Sequence, residues 1–507
     1  MTAILGTRIR GLVDGLLERH HVLALCLLMV FLAPLLWLAQ YNYPSGDDYL
    51  AFFQAQNLGP FAATRWWYLN WTGRYSSFFV QSLFPEHRLW LIAYRVIPIV
   101  LLLTGFFCLF SFVRALFGRN FPTKNLFSLS VSAYVLLIGL TPEIATAIYW
   151  LPTNVQYLGA VFTTLLLFAL FVSLGRAETP LRRGLHWLAA LLLLVFLAGL
   201  NEISIVLFVS ILIAVNVVHV LRFATLSRTG ILFLVCSVPF ALLSFLAPGN
   251  SIRGEYIVAR QPSLTDVAVS AARFTLDLTA TLLTSTPLLL VSVLYFVFLE
   301  HNRHRLTHLI ALRAKVHWYW LVLFLFAAFT LGTVTLFAAT GMSPVPGRVM
   351  NVLVYSLVLS WFTLMTVLFV DLTSAGLRFS TQHPVIRLLS LGGGVLVIVF
   401  LATGFDVTLH GSDAISTANP LRRMASTIKT RSVYANAYLD IASGRAARYA
   451  EQNIETTRRF RAANGQCVEF LPLSYAPDTI FVPFVKYPWT WCPWEFVRAF
   501  EGRHMKK

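Results

Sequence analysis

Two adjacent acidic residues, Asp47 and Asp48, occur in the segment YNYPSGDDY, directly after a long apolar stretch. Neighbouring carboxylates repel each other and lose hydration near hydrocarbon, so at least one should have a raised pKa or a cationic partner. Both conditions are common where a carboxylate serves as a general acid or base. The alternative is that Ser45, Asp47 and Asp48 only begin a helix and favour its dipole.

Three arginines stand beside glycine or proline turns, in the segments WTGR, PGNSIR and PGR: Arg74, Arg253 and Arg348. Guanidinium groups bind phosphate through paired N–H donors. A lone arginine near a membrane more often contacts a lipid headgroup, so a phosphate site requires the three side chains to meet. We expect Arg253 and Arg348 to bind the phosphate of a donor substrate, with Arg74 nearby.

Other polar and aromatic residues in the same loops are candidates for substrate binding: Glu143, Trp150, Asn154, Tyr157, Asn201, Glu202, Trp71 and Asn250. Tryptophan faces could stack on a sugar ring, although an interfacial aromatic belt also explains them. The two glutamates could orient hydroxyl groups, bind Mg²⁺ or Mn²⁺ together with the aspartates, or only close helix ends. The sequence requires no cofactor and leaves a divalent cation open.

The elements that must position these residues cross a membrane. Of the 507 residues, 57% are hydrophobic and 12% are charged, and the net charge is +17. A soluble domain would have about a quarter charged residues, so an ordinary globular enzyme is excluded. The positive excess is typical of basic cytoplasmic loops facing anionic lipid, and nucleic acid is not an expected partner.

The chain is therefore predicted to be an all-α integral membrane protein. Eleven apolar runs are long enough to cross a bilayer. They are 21–39, 89–113, 126–142, 157–175, 185–200, 203–221, 231–247, 283–300, 318–340, 351–372 and 388–406. Ser263 and Asp266 are spaced as a capping box, which predicts an interfacial amphipathic helix leading into the eighth span.

Basic residues indicate the orientation of these spans. With a cytoplasmic N-terminus, seventeen Lys and Arg fall in cytoplasmic segments and six in the opposite loops, when Arg273 of the interfacial helix and the segment 407–507 are left out of the count. All the candidate residues above then share the outer face, and the first outer loop, 40–88, carries interfacial helices. An odd number of spans places 407–507 outside as well, separate from the multispanning domain 1–406.

Residues 407–507 differ in composition from the spans and predict a small α+β domain on the outer membrane surface. Cys467 and Cys492 are the only cysteines in this segment. Because an oxidising compartment favours pairing, we expect a disulfide between them.

The order of these motifs resembles the GT-C glycosyltransferases, and more specifically a largely uncharacterised bacterial family of that superfamily. The resemblance covers roughly residues 20–350. It is carried by GDDY at Gly46–Tyr49, WxGR at Trp71–Arg74, a Trp-containing segment ending in NxxY at 149–157, the pair Asn201-Glu202, and PGNxxR at Pro248–Arg253. Pro152 stands where the family pattern has a glycine.

The resemblance implies a transferase in the bacterial inner membrane that moves a sugar from a polyprenyl-phosphate donor to a glycan or glycolipid acceptor on the outer face, with inversion. It also favours Asp47 or Asp48 as the catalytic residue. Two alternatives remain: a transporter or flippase of envelope lipids or glycans, which would need ionisable residues at mid-span and broken helices, and a non-catalytic envelope assembly partner.

Overall fold

The structure is a computed structural model, and it describes residues 20–118, 121–176, 179–223, 225–257, 263–306, 318–340, 345–378, 381, 383–408, 427–463, 466–470, 477–480 and 489–491. Within these residues the regular structure is overwhelmingly helical. Ten helices are long and apolar enough to cross a membrane. The chain is thus a multi-pass membrane protein in its architecture.

The first half of the chain forms helices α1 to α9. Their bounds are α1 His20–Leu38, α2 Asp48–Leu58, α3 Pro60–Asn70, α4 Tyr75–Ser82, α5 His87–Phe117, α6 Thr123–Gly139, α7 Leu151–Leu174, α8 Pro180–Ala198 and α9 Glu202–Phe223. The short helices α2 to α4 occupy the loop 40–88. Gly59, with a φ of 77°, makes the turn between α2 and α3.

The second half continues with helices α10 to α18 and four short strands. The helices are α10 Arg228–Phe245, α11 Pro248–Ile257, α12 Leu264–Ser285, α13 Leu288–His301, α14 Trp318–Thr340, α15 Gly347–Ser374, α16 Pro384–Thr403, α17 Val433–Ala442 and α18 Arg445–Ala463. The strands are β1 Gly404–Thr408, β2 Thr427–Arg431, β3 Val468–Phe470 and β4 Trp489–Trp491, which form the antiparallel pairs β1–β2 and β3–β4.

Nine of the eleven predicted spans coincide with long apolar helices. The predicted spans 126–142 and 283–300 correspond instead to the shorter apolar helices α6 and α13. The segment predicted to be interfacial is α12, a 22-residue helix that meets the length and composition of a span. The capping box is present, since the Ser263 side chain accepts from the Asp266 N–H at 3.1 Å.

The charged residues of α12 suggested an interfacial helix, but its apolar face is buried. Val267, Ala271, Phe274 and Leu278 are all buried, so one side of the helix packs into the main core. Extended backbone at Thr286, before Pro287, then separates α12 from α13. Length alone could not place this break.

The segment after the last span packs directly on the helix bundle. The hydroxyl of Tyr434 in α17 donates to the Val135 carbonyl of α6 at 2.7 Å, and that of Tyr438 donates to the Val30 carbonyl of α1 at 2.7 Å. In α18, the Phe460 ring lies 4.7 Å from the Tyr49 ring of α2. The described part of 407–507 therefore does not support a separate α+β domain.

Cys467 is disulfide-bonded, whereas Cys26, Cys108 and Cys236 are free thiols. Its predicted partner, Cys492, lies outside the described residues. Val468 and Trp491, which neighbour the two cysteines in sequence, pair across β3 and β4. The pairing of Val468 with Trp491 favours a Cys467–Cys492 disulfide, which stays a prediction.

Phe460→Ala is expected to lower the free energy of unfolding by about 3 to 5 kcal/mol, because it removes a buried ring between α18 and α2. Ile454→Ala on the same helix is the matched control, since Ile454 is 53% exposed. Thermal unfolding of both purified variants checks this. Equal melting temperatures would show that α18 does not stabilise the first loop.

Candidate functional site

A tight turn places the two aspartates in different surroundings. Gly46 has a φ of 54°, and the Ser45 N–H donates to Asp48 Oδ2 at 2.6 Å. The Ser45 carbonyl in turn accepts from Trp150 Nε1 at 3.2 Å. The turn therefore fastens Asp48 into the protein, whereas the Asp47 side chain caps no helix and is exposed.

Asp48 is 2% exposed and lies among aromatic residues. Burial raises its pKa well above the ordinary value; the hydroxyl of Tyr94 and the Ser45 N–H oppose this effect, and Asp47 adds to it. Tyr94 lies beside the carboxyl group without meeting hydrogen-bond geometry, and Asp48 Oδ1 has no hydrogen-bond partner among the described residues. The Asp48 carboxyl group is thus enclosed by protein and held against the Ser45 turn.

Asp47 has solvent access, yet desolvation by the surrounding protein still raises its pKa, and the charge of Arg348 lowers it. The Asp47 carboxylate is thus exposed but has protein around much of it. Asp47 is therefore the aspartate that a solute could reach.

Arg348 lies in the first turn of α15, with its guanidinium carbon 5.6 Å from the centre of the Trp150 ring. The preceding residue, Gly347, lets the Glu143 side chain lie against the start of α15, because a β-carbon there would overlap it. Among the described residues no carboxylate lies within ion-pair distance of Arg348. Its N–H groups remain available beside Asp47.

Glu202 binds the other two predicted arginines. Its Oε2 contacts Arg74 Nη2 at 2.9 Å, and its Oε1 contacts Arg253 Nη2 at 3.1 Å. The Tyr157 hydroxyl accepts from Arg74 at 3.3 Å and lies within electrostatic range of Arg253 and Arg348. The structure therefore brings all three arginines together, although Arg74 and Arg253 share an acidic partner.

Two predicted motifs meet through their backbones. Gly73 N–H donates to Asn250 Oδ1 at 3.0 Å, and a β-carbon at Gly249 would overlap the backbone of Trp71 and Thr72. Arg253 Nη1 also donates to Thr72 Oγ1 at 2.8 Å. This contact between WTGR and PGNSIR sets the directions of the two arginines that bind Glu202.

The segment around WLPTN is an interrupted helix. π-helical turns at Ala145–Tyr149 and Asn154–Leu158 flank Trp150, whose backbone is extended. Asn154 Nδ2 donates to the Ile148 carbonyl at 2.7 Å and so binds one turn to the other. Breaks of this kind are frequent at functional sites.

Several predicted substrate ligands have protein partners instead. Asn201 donates to the Gln156 carbonyl and accepts from the Ser204 N–H, and Asn250 Nδ2 donates to the Ser244 carbonyl. Glu143 Oε2 accepts from the Thr146 hydroxyl at 2.7 Å. Substrate contact by Asn154, Asn201 and Asn250 therefore stays an untested prediction, and each of these amides already holds a turn or helix end in place.

Four residues of the site were not predicted from the sequence: Thr72, Tyr94, Gln156 and Asn351. Asn351 exchanges two hydrogen bonds with the Glu143 backbone, both at 3.0 Å. Its spacing of three from Arg348 on one helix was the signal that could have found it. Tyr94 lies within a span and carried no such signal.

The acidic residues do not form a shared cation site. Both oxygens of Glu202 contact arginines, and within the described residues no group of three or more His, Cys, Asp or Glu side chains could hold a metal ion. The divalent cation that the sequence left open stays untested, since Mg²⁺ often binds through one or two carboxylates together with a substrate phosphate.

Comparisons with protein-family models, with curated proteins and with solved structures found no match to this chain.

Gly249→Ala is expected to destabilise the protein by about 1 to 3 kcal/mol, because the new methyl group meets the backbone of Trp71 and Thr72. Gly254→Ala in the same helix α11 has open space and should be neutral or stabilising by up to about 1 kcal/mol. Thermal unfolding distinguishes the two. Equal melting temperatures would show that the contact between the WTGR and PGNSIR segments does not stabilise the protein.

Proposed function

We propose that this chain is a membrane glycosyltransferase that moves a sugar from a polyprenyl-phosphate donor to a hydroxyl of a cell-envelope glycan or lipid-linked acceptor. The observation that carries the proposal is that Asp47 is exposed and within electrostatic range of Arg348, whose guanidinium has no hydrogen-bond or ion-pair partner among the described residues. Transfer from a phosphate needs both groups: a base for the acceptor proton and a cation for the leaving phosphate.

In this mechanism Asp47 takes the proton from the acceptor hydroxyl, and the acceptor oxygen attacks the anomeric carbon. The bond from that carbon to the phosphate oxygen breaks, and the phosphate leaves with the electron pair. The negative charge of the phosphate group increases from −1 to −2. Arg348 and Arg253 stabilise the added charge as it develops. Direct attack inverts the anomeric configuration.

Asp47 is assigned as the base ahead of Asp48. A base must lie within hydrogen-bond reach of the acceptor hydroxyl and must be ionised. Asp48 is buried, has a strongly raised pKa and braces the Ser45 turn. Its role is to hold the segment that presents Asp47.

The resemblance to GT-C enzymes supports the same reaction and favours a bacterial inner membrane as its location. The proposed orientation has the N-terminus in the cytoplasm and the site at the outer face, where lipid-linked sugars are used. It rests on the distribution of basic residues, seventeen against six.

A transporter or flippase is the second candidate. The interrupted helix at 145–158 favours it, because broken helices line many transport sites. The most prominent ionisable residue near a proline, Arg95, argues the other way: it is exposed and donates to the Tyr43 hydroxyl at 2.7 Å. The charged residues of the site lie at or near helix ends, as a surface transferase requires, whereas Arg273 and Asp277 lie near the middle of α12 and favour the transporter.

Asp47→Asn is expected to lower sugar transfer by about 10²-fold or more, because a general base is lost. Asp48→Asn keeps an oxygen that can accept from Ser45 and should retain most activity. A panel of polyprenyl-phosphate hexoses and pentoses serves as donor, with membranes from a strain lacking the protein as acceptor. Near-normal transfer by a folded Asp47→Asn protein would contradict the assignment.

The pH dependence of transfer gives a separate prediction. A base works when deprotonated, so the rate should rise with pH through the pKa of Asp47, which lies above its ordinary value. Arg348 lowers this pKa, so Arg348→Gln should move the acidic limb to higher pH, whereas Arg348→Lys should keep it near the wild-type position. If the acidic limb of the pH profile does not move in Arg348→Gln, Arg348 does not influence the pKa of the base.

A further inference from the structure

We propose that Glu202 is a positioning residue: it holds Arg74 as a fixed support and aims the free N–H groups of Arg253 at a phosphate bound beside Arg348. This inference rests on the proposed function and deepens it, because it separates the three arginines into ligands and a support. It also removes Glu202 from the predicted substrate ligands.

The donors of Arg74 are almost all in use. A guanidinium carries five N–H groups. Nε donates to Glu202 Oε2 at 3.0 Å, Nη2 contacts the same oxygen at 2.9 Å, and Nη1 donates to Gln156 and Tyr157 at 3.1 and 3.3 Å. Arg74 thus has at most one N–H for a ligand.

Arg253 and Arg348 differ from Arg74 in this respect. Arg253 uses Nη1 on Thr72 Oγ1 at 2.8 Å and Nη2 on Glu202 Oε1 at 3.1 Å, which leaves its Nε–H and one N–H on each terminal nitrogen. Within the described residues Arg348 makes no hydrogen bond or ion pair and only stacks on Trp150. These two side chains have the donors that a phosphate needs.

Glu202 itself is committed on both oxygens, and its side chain is only 13% exposed. Without its charge, two guanidinium groups would share one mostly buried space and repel each other. Arg253 would then lose the contact that fixes its direction. Thr72 alone would restrain it.

Two physical effects of removing this carboxylate have opposite signs. Simple electrostatics predicts that Glu202→Gln tightens phosphate binding, because the site gains positive charge. Positioning predicts weaker binding, because Arg253 is no longer held toward the ligand. The direction of the change therefore decides between the two.

The experiment measures binding of farnesyl phosphate and of farnesol to the purified full chain in detergent. Wild type should prefer the phosphate, and Glu202→Gln should bind farnesyl phosphate about tenfold more weakly or worse, with farnesol unchanged. Tighter or unchanged phosphate binding would overturn the inference. An equal loss for farnesol would overturn it too, since the residue would then affect the lipid chain.

Arg74→Lys is the second variant, since it keeps the charge but loses the fork of donors. It should weaken phosphate binding in the same direction, although Arg74 is not itself a ligand. Glu300→Gln, which removes a carboxylate paired with Arg303 at 3.4 Å in α13, is the matched control and should change nothing. If Glu202→Gln does not fold, Glu202→Asp and Arg74→Lys carry the test.

The two proposals fail in different ways. If wild type binds farnesyl phosphate no better than farnesol, the phosphate site is absent and both fall. If wild type prefers the phosphate and the Glu202 variants keep that preference, only the positioning role falls. In the transfer assay, Glu202→Asp should raise KM for the donor more than it lowers kcat, which a general loss of stability would not produce.

Discussion

The site depends on one constraint: charges placed at the ends of apolar helices must find partners. Glu202 begins α9, Arg74 precedes α4, and Arg253 lies in α11, so one carboxylate joins three elements that are distant in sequence. All three side chains are mostly buried, and removing them from water is costly unless they pair. This pairing holds loop 40–88 against the bundle.

The same constraint explains why neighbouring aspartates behave differently. Two carboxylates cannot both be ionised in a poorly hydrated space without a cation for each. The turn at Gly46 resolves this by directing Asp48 inward, to the Ser45 N–H and aromatic neighbours, and Asp47 outward, toward Arg348. An adjacent pair in sequence becomes one buried brace and one accessible carboxylate.

The sequence predicted what depends on local pattern. Apolar length identified nine of the ten long apolar helices among the described residues, the capping box at Ser263 was found, and the common sidedness of the arginine motifs predicted their convergence. The sequence could not predict that the N–H groups of Arg74 would donate to Glu202, because hydrogen-bond partners follow from tertiary packing. For the same reason the packing of α17 and α18 on the bundle was missed: their polar composition suggested a separate domain, whereas buried Tyr434 and Phe460 decide their position.

Irregular backbone that is buried away from water must have its polar groups satisfied. The interrupted segment 145–158 meets this condition through side-chain amides: Asn42 donates to the carbonyls of Tyr94 and Tyr149 at 2.8 and 2.7 Å, and Asn154 donates to that of Ile148. The asparagines of the motifs therefore serve the backbone. With their help the chain leaves helical geometry at Trp150, and this places an aromatic face under Arg348 and an indole N–H on the Ser45 turn. The amides stabilise the bend, and the bend brings the Ser45 turn and Arg348 to the same residue, Trp150.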